Sequence, residues 1–208
     1  MSRRHLSLPT RWLMTDERMG EGLWRALERL PRGGGVVFRH HDTPPADRRA
    51  LFARVLRVAR RRDLLLVRAG ATAMRGEMGV HGRRGRGLVT WPAHHRAEAM
   101  RGAAAGARLL FVSPLFATRS HPGARAASRA AAAGIARGLP VVAIALGGMT
   151  ERRFRAVAAL GFAGYAGIDC WLSGPDAPRL SPSSPSTIAR AARSTIPCRG
   201  RSAGNAAR

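Results

Sequence analysis

Apolar residues come in short runs along this chain, and each run stops at a polar, glycine or proline residue. Trp12 to Thr15 ends at Asp16, Val36 to Phe38 at Arg39-His40-His41-Asp42, and Leu64 to Val67 at Arg68. Val80 is a short piece ending at His81, and Leu88 to Trp91 ends at Pro92 and His94-His95. Leu109 to Val112 stops at Ser113-Pro114, Val141 to Leu146 runs into Gly147-Gly148, and Gly164 to Ile168 ends at Asp169. The runs are near-continuous rather than alternating, as in parallel strands buried on both faces. Eight strands are predicted.

Helical patterns separate them. Gly22 to Leu30 places Leu23, Leu27 and Leu30 at i, i+4 and i+7. Pro45 to Arg62 carries Leu51, Phe52, Val55, Leu56 and Ala59 on one face, with arginines opposite. Arg96 to Ala105 and Ala124 to Arg137 are alanine-rich, and Thr150 suits the N-cap of a helix that turns Phe154, Val157, Ala158 and Leu160 inward. Gly70 to Met78 and Gly82 to Gly87 are too short for full helices. The expected fold is therefore α/β: a TIM (β/α)8 barrel with reduced crossovers after strands 3 and 4. An open doubly wound sheet is the alternative, because sequence does not show closure. From about Ser173 the pattern collapses into Ser, Pro, Ala and Arg, which bury too little to offset ordering. The expected division is a barrel domain over 1–173 and a disordered basic tail over 174–208.

Composition narrows the partners. The 208 residues are 45% hydrophobic, enough for one core, with only 5% aromatics. A formal net charge of +24 invites a nucleic-acid reading. Against it, all 36 basic residues are arginines spread over most of the chain, which looks more like coding bias than one basic face. Nucleic acid is not expected as a partner. Without lysine there is no Schiff base, no lysine general base and no P-loop lysine. Cys170 and Cys198 lie far apart and suggest neither a metal pair nor a disulfide scaffold. No signal-peptide core and no apolar run of membrane-spanning length occurs, so a cytoplasmic protein without a membrane partner is expected. A homo-oligomer is left open.

The chemistry should gather at the strand ends, which meet on one face of a barrel. His40, His41, His81, His94, His95 and His121 all fall there, as do Asp16, Asp42 and Asp169. Strand-end histidines could also bind zinc, but no i, i+4 pair and no HExxH motif occurs. Arg39 follows an apolar strand, and its guanidinium could fork onto a phosphate or diphosphate. The loop after the sixth strand carries Thr118, Arg119, Ser120 and His121, hydroxyls and cations suited to an anionic ligand. Gly147 and Gly148 let backbone N–H groups approach a phosphate beside the Thr150 helix. Arg39 and His121 are read as the catalytic pair.

These motifs, in this order, resemble the thiamine phosphate synthase and TenI family from about Trp12 to Trp171. Phe116-Ala117-Thr118-Arg119-Ser120-His121, with Gly123, is similar to its threonine loop, and Ala145-Leu146-Gly147-Gly148-Met149 to its AIGGI strand end. Val37-Phe38-Arg39-His40-His41 occupies the place of its glutamine-x-arginine-x-lysine motif, and Gly79-Val80-His81 matches its glycine-valine-histidine. Leu88-Val89-Thr90 resembles its valine-serine strand. The resemblance implies a TIM barrel that joins a hydroxymethylpyrimidine diphosphate to a thiazole phosphate and releases diphosphate with magnesium. It carries Arg39 and His41 to the diphosphate, Thr118, Ser120 and His121 to phosphate oxygens, Gly147 and Gly148 to the thiazole phosphate, and Thr90 to the substrate site. Two departures bear on magnesium. The asparagine-aspartate after the third strand is replaced around Val67-Arg68-Ala69, and no acid lies between Glu77 and Glu98. Mg2+ is thus implied by the family while its acidic ligands are not found, so Arg68, Arg83 or Arg84 would have to supply positive charge. The tautomerase histidine of TenI members is also missing, since the sixth strand ends Val112-Ser113-Pro114. Two readings follow: a thiamine phosphate synthase-like enzyme, and a non-catalytic homologue that binds phosphorylated ligands as a sensor or pathway partner.

Overall fold

The computed structural model of this protein describes residues 8–117 and 128–172. Cα proximity divides the chain into Met1–Asp176 and Ala177–Arg208, and every described residue belongs to the first unit. The predicted tail lies outside the described residues.

Eight parallel strands close into a barrel in chain order: β1 (Arg11–Met14), β2 (Gly35–Phe38), β3 (Leu65–Ala69), β4 (Gly79–His81), β5 (Leu88–Ala93), β6 (Leu109–Val112), β7 (Val142–Leu146) and β8 (Gly164–Gly167). β8 pairs back onto β1, with Arg11 opposite Tyr165, so the open-sheet alternative is excluded. Helices α1 (Gly22–Arg29), α2 (Pro45–Arg61), α3 (Arg96–Ala104), α4 (Arg129–Ile135), α5 (Glu151–Arg155) and α6 (Asp169–Leu172) follow strands 1, 2, 5, 6, 7 and 8. The connections after β3 and β4 contain no helix, as their length predicts. No described helix is long and apolar enough to cross a membrane.

Side chains alternate across each strand. One set fills the interior: Trp12, Val37, Val67, Leu109, Phe111 and Ile144 form a buried cluster. The other set, including Leu13, Val36, Phe38, Leu66 and Leu110, packs outward with Leu23 and Leu27 of α1 and Phe52 and Val55 of α2. Trp12 plugs the interior, edge-on to Phe111 at 5.3 Å between ring centroids. Its strand neighbours are small, Gly35 on β2 and Ala166 on β8. A Cβ on Gly35 would sit 2.3 Å from the Trp12 ring, so only glycine admits that indole.

Candidate functional site

At the mouth of the barrel the end of β2 is tied to the end of β1. The backbone N–H of Arg39 donates to Thr15 Oγ1 at 3.0 Å, its Nε to the Thr15 carbonyl at 2.8 Å, and its Nη2 to Asp16 Oδ2 at 2.7 Å. The other carboxylate oxygen of Asp16 accepts from the Arg18 backbone N–H at 3.2 Å and from Arg18 Nε at 2.6 Å. Burial alone would raise the Asp16 pKa, but the Arg18 hydrogen bonds and the Arg39 and Arg18 charges outweigh it and hold the carboxyl below its ordinary value. Burial draws the Arg39 pKa down, with Asp16 opposing. A guanidinium starts so far above neutrality that Arg39 stays cationic. One edge of Arg39 is therefore held rigidly, and Nη1 makes no hydrogen bond with a described residue.

The histidines do not gather as a single cluster. His40 turns away from the mouth: its ring stacks on Phe38 at 4.8 Å and Nδ1 lies 2.9 Å from Thr15 Oγ1. His94 and His95 stay outside at the start of α3, where the backbone N–H of His94 donates to Glu98 Oε2 at 2.6 Å and its Nδ1 lies 2.9 Å from the same oxygen. His41 lies on the loop leading into α2 and lines a cavity there. His81 is the one that enters the barrel among the described histidines. Its ring is edge-on to Phe111 at 5.5 Å, and Nδ1 lies 2.9 Å from Thr90 Oγ1. Burial, with the Arg39 and His41 charges adding, pushes its pKa down to about 3, so the imidazole is neutral near neutral pH. Thr90, carried to the substrate site by the resemblance, is fully buried. Its hydroxyl is taken by His81 and the Val80 carbonyl, so it reaches the mouth through His81 rather than directly.

Gly147 and Gly148 end β7 with φ of 97° and 57°, in the left-handed region that favours glycine. A Cβ on Gly148 would meet the Ala117 carbonyl at 2.5 Å, so the loop after β6 lies directly against it. Leu115 and Phe116 donate backbone N–H groups to the Leu146 and Gly147 carbonyls at 3.0 and 3.2 Å. The N–H groups of Gly147, Gly148 and Met149 form no hydrogen bond with a described residue. Arg153, which the sequence reading passed over, donates to the Gly148 carbonyl and lies 4.9 Å over the Phe116 ring. Thr150 caps α5, accepting from the Arg153 N–H at 3.2 Å. That helix has only five residues, so the favourable helix field expected for an anion here is small, and fixed charge comes from Arg153 instead. Thr118, Ser120 and His121, with Arg119, lie outside the described residues.

The magnesium that the resemblance implies can be tested against the donors present. Magnesium requires oxygen ligands in near-octahedral order. Beside β3 the carboxylate is Glu77, whose oxygens accept from Arg68 at 2.5 and 3.1 Å and from the Met74 N–H at 2.8 Å. At the mouth Asp16 is held by two arginines. No group of three His, Cys, Asp or Glu suited to a metal occurs among the described residues. The residues present do not fit this ion: guanidinium groups stand where it would need free carboxylates.

Three comparisons bear on identity. Residues 80–170 match the family model described as thiamine monophosphate synthase. None of the curated proteins matches the chain. Among solved structures, thiamine phosphate pyrophosphorylase from Pyrococcus furiosus superposes with a TM-score of 0.67 at 19% identity, covering 81% of this chain and 89% of that one. A structure described as native KDPGal follows with a TM-score of 0.52 at 11% identity, covering 78% and 84%. At such identities the superpositions establish the barrel alone. The family match falls on the part of that barrel that carries His81, Thr90 and the Gly147-Gly148 turn, so the chain is similar to that family over its β4–β8 segment and to the solved structures in fold.

Proposed function

We propose that this protein is a thiamine phosphate synthase-like transferase acting on small phosphorylated substrates. In the reaction, the bond between the pyrimidine methylene carbon and its diphosphate oxygen breaks, and the electron pair leaves with the diphosphate. The thiazole nitrogen lone pair then forms the new carbon–nitrogen bond, so no proton transfer is needed. What the protein must supply is fixed positive charge around the leaving diphosphate and donors that orient the thiazole phosphate. The observation that carries the reading is Arg39, held at the β2 end by Asp16 and Thr15, with one guanidinium nitrogen unbonded among the described residues. The N–H groups of Gly147 to Met149, unbonded among the described residues, offer a second anchor three strands around the barrel.

The experiment is a coupling assay with pyrimidine diphosphate and thiazole phosphate, with magnesium and with EDTA, on the wild type and Arg39→Ala. Product in EDTA that Arg39→Ala abolishes supports a synthase whose charge is supplied by arginine. Strict magnesium dependence contradicts the arginine-based charge. One observation favours the second reading, a binding homologue without catalysis: Asp16 and Glu77, carboxylates on the β1–β3 side, are paired with Arg18, Arg39 and Arg68. Thermal stabilisation by thiazole phosphate with no product under either condition would select it.

A further inference from the structure

In a TIM barrel each strand is followed by a helix that covers its outer flank. Here β3 passes to β4 without one. Between the first turns of α2 and this bare loop lies a cavity of about 190 Å³. Its polar wall is His41, Thr43, Arg48, Arg49 and Thr72, with the Gly70 backbone. No carboxylate lines it, and neither do Arg39, His81, Gly147 or Gly148.

Arg48 decides its chemistry. Only 7% of this residue is exposed. Its Nε donates to the His40 carbonyl at 2.7 Å, and its Nη2 donates to the Arg39 and Ala69 carbonyls at 2.9 and 2.7 Å. These bonds nail the guanidinium across the ends of β2 and β3 and leave Nη1 without a hydrogen bond to a described residue. Carbonyls satisfy donors but bring no counter-charge, and Arg48 forms no ion pair with a described residue. A buried charge without a counter-ion is costly. Arg68 adds to that cost: burial first, then the Arg68 charge, draws the Arg48 pKa down, and only Glu17 opposes. Arg68 has Glu77 for a partner, whereas Arg48 has no carboxylate partner among the described residues. Gly70, at φ 89°, brings the loop in close: a Cβ there would lie 3.4 Å from Arg48 Nη2 and 3.7 Å from His41 Nδ1. Cations and hydroxyls therefore face one another across a space of roughly six water volumes, large enough for a phosphate group.

We propose that this cavity, between the loop leading into α2 and the loop after β3, is a second anion subsite that takes a phosphate dianion, either free or as the phosphoryl end of a small molecule. Arg48 supplies the fixed charge, Arg49 and His41 close the two sides, and Thr43 and Thr72 donate hydroxyls. The site shares His41 with the diphosphate position that the resemblance implies, while Arg48, Arg49, Thr43 and Thr72 belong to it alone, and it is read by binding rather than turnover.

The test titrates the full-length protein in EDTA with inorganic phosphate and, separately, with methyl phosphate, by calorimetry and phosphorus NMR. Arg49→Ala is the clean variant, because Arg49 is exposed and its loss leaves the β2–β3 staple intact. It should weaken phosphate binding about tenfold, the scale of one charge-assisted hydrogen bond. Thr72→Val, also at an exposed position, should weaken it less. Arg153→Ala, beside Gly148, should leave this binding unchanged. Tighter binding of inorganic phosphate than of methyl phosphate assigns the subsite to the free ion, and the reverse to an ester. Full affinity in an Arg49→Ala/Thr72→Val double variant overturns the proposal. So does a loss confined to Arg153→Ala, which would place all the binding at the β7 turn. A coupling assay that fails while Arg49-dependent phosphate binding persists sinks the proposed reaction and leaves the subsite standing.

Discussion

The two sides of the barrel mouth handle charge in opposite ways. On the β1–β3 side, side chains carry it: Asp16 pairs with Arg18 and Arg39, and Arg68 pairs with Glu77. On the β6–β7 side the backbone does the work: two left-handed glycines turn the strand end, and Arg153 buttresses it through the Gly148 carbonyl. Side-chain pairs give strong local charge that depends on a partner staying in place. Backbone N–H groups give weaker partial charge that the fold cannot misplace without losing the strand. The same kind of ligand group would thus meet a stiff electrostatic clamp on one side and a shaped cradle on the other.

Removing the clamp should have the largest effect. Arg39→Ala should cut coupling rate by about 10² to 10³-fold, the usual consequence of deleting one preorganised donor, with folding unchanged by circular dichroism. Equal activity in the variant would show that the β2 side is not where charge develops. Next comes the ion pair that props this side. Glu77→Ala leaves the Arg68 guanidinium nearly buried and unpaired, since that side chain is only 5% exposed. A loss of about 3 kcal/mol in denaturant unfolding is expected. The cradle should answer through shape instead: Gly148→Ala forces a side chain into a left-handed backbone against the Ala117 carbonyl, costing about 2 kcal/mol. Thiazole phosphate should then lose affinity while diphosphate binding to the β2 side holds; parallel losses would erase the distinction between the two sides.

The smallest effect is a pH dependence. The folded-state pKa of His81, about 3, lies below its ordinary 6.5, so protons bind the unfolded chain more readily. Stability from this group is complete above about pH 6.5 and declines as pH falls toward 3. Because His81 is only half-buried, the loss should be about 1–2 kcal/mol rather than the full value of the shift. His81→Gln should flatten the stability profile below pH 6; an unchanged slope would assign it to other groups.

Much of this was legible along the chain. The eight apolar runs are the eight strands, shifted by a residue or two, because strands buried on both faces have no polar positions to confuse the pattern. The two connections too short for helices contain none, and Thr150 caps its helix. Arg39 and Gly147-Gly148 were legible because each interrupts an apolar run. Asp16 as the partner of Arg39 was not, since they lie on neighbouring strands. The expected convergence of histidines was too generous. A strand-end position does not say which way a ring turns, and local packing sends His40 onto Phe38 and holds His94 at Glu98.

By itself, then, the sequence determined the strand count, the parallel α/β class and the residue types at each strand end. Those depend on which local stretches must be buried. It also determined that the charge at the mouth comes from arginine, because the chain contains no lysine. Tertiary structure alone decided closure of β8 onto β1, the pairing of Asp16 and Glu77 with arginines rather than a metal, and the cavity beside Arg48. Each of these needs groups far apart in the chain to meet within hydrogen-bond distance. Such contacts are set by barrel register and helix placement, and no local pattern encodes them.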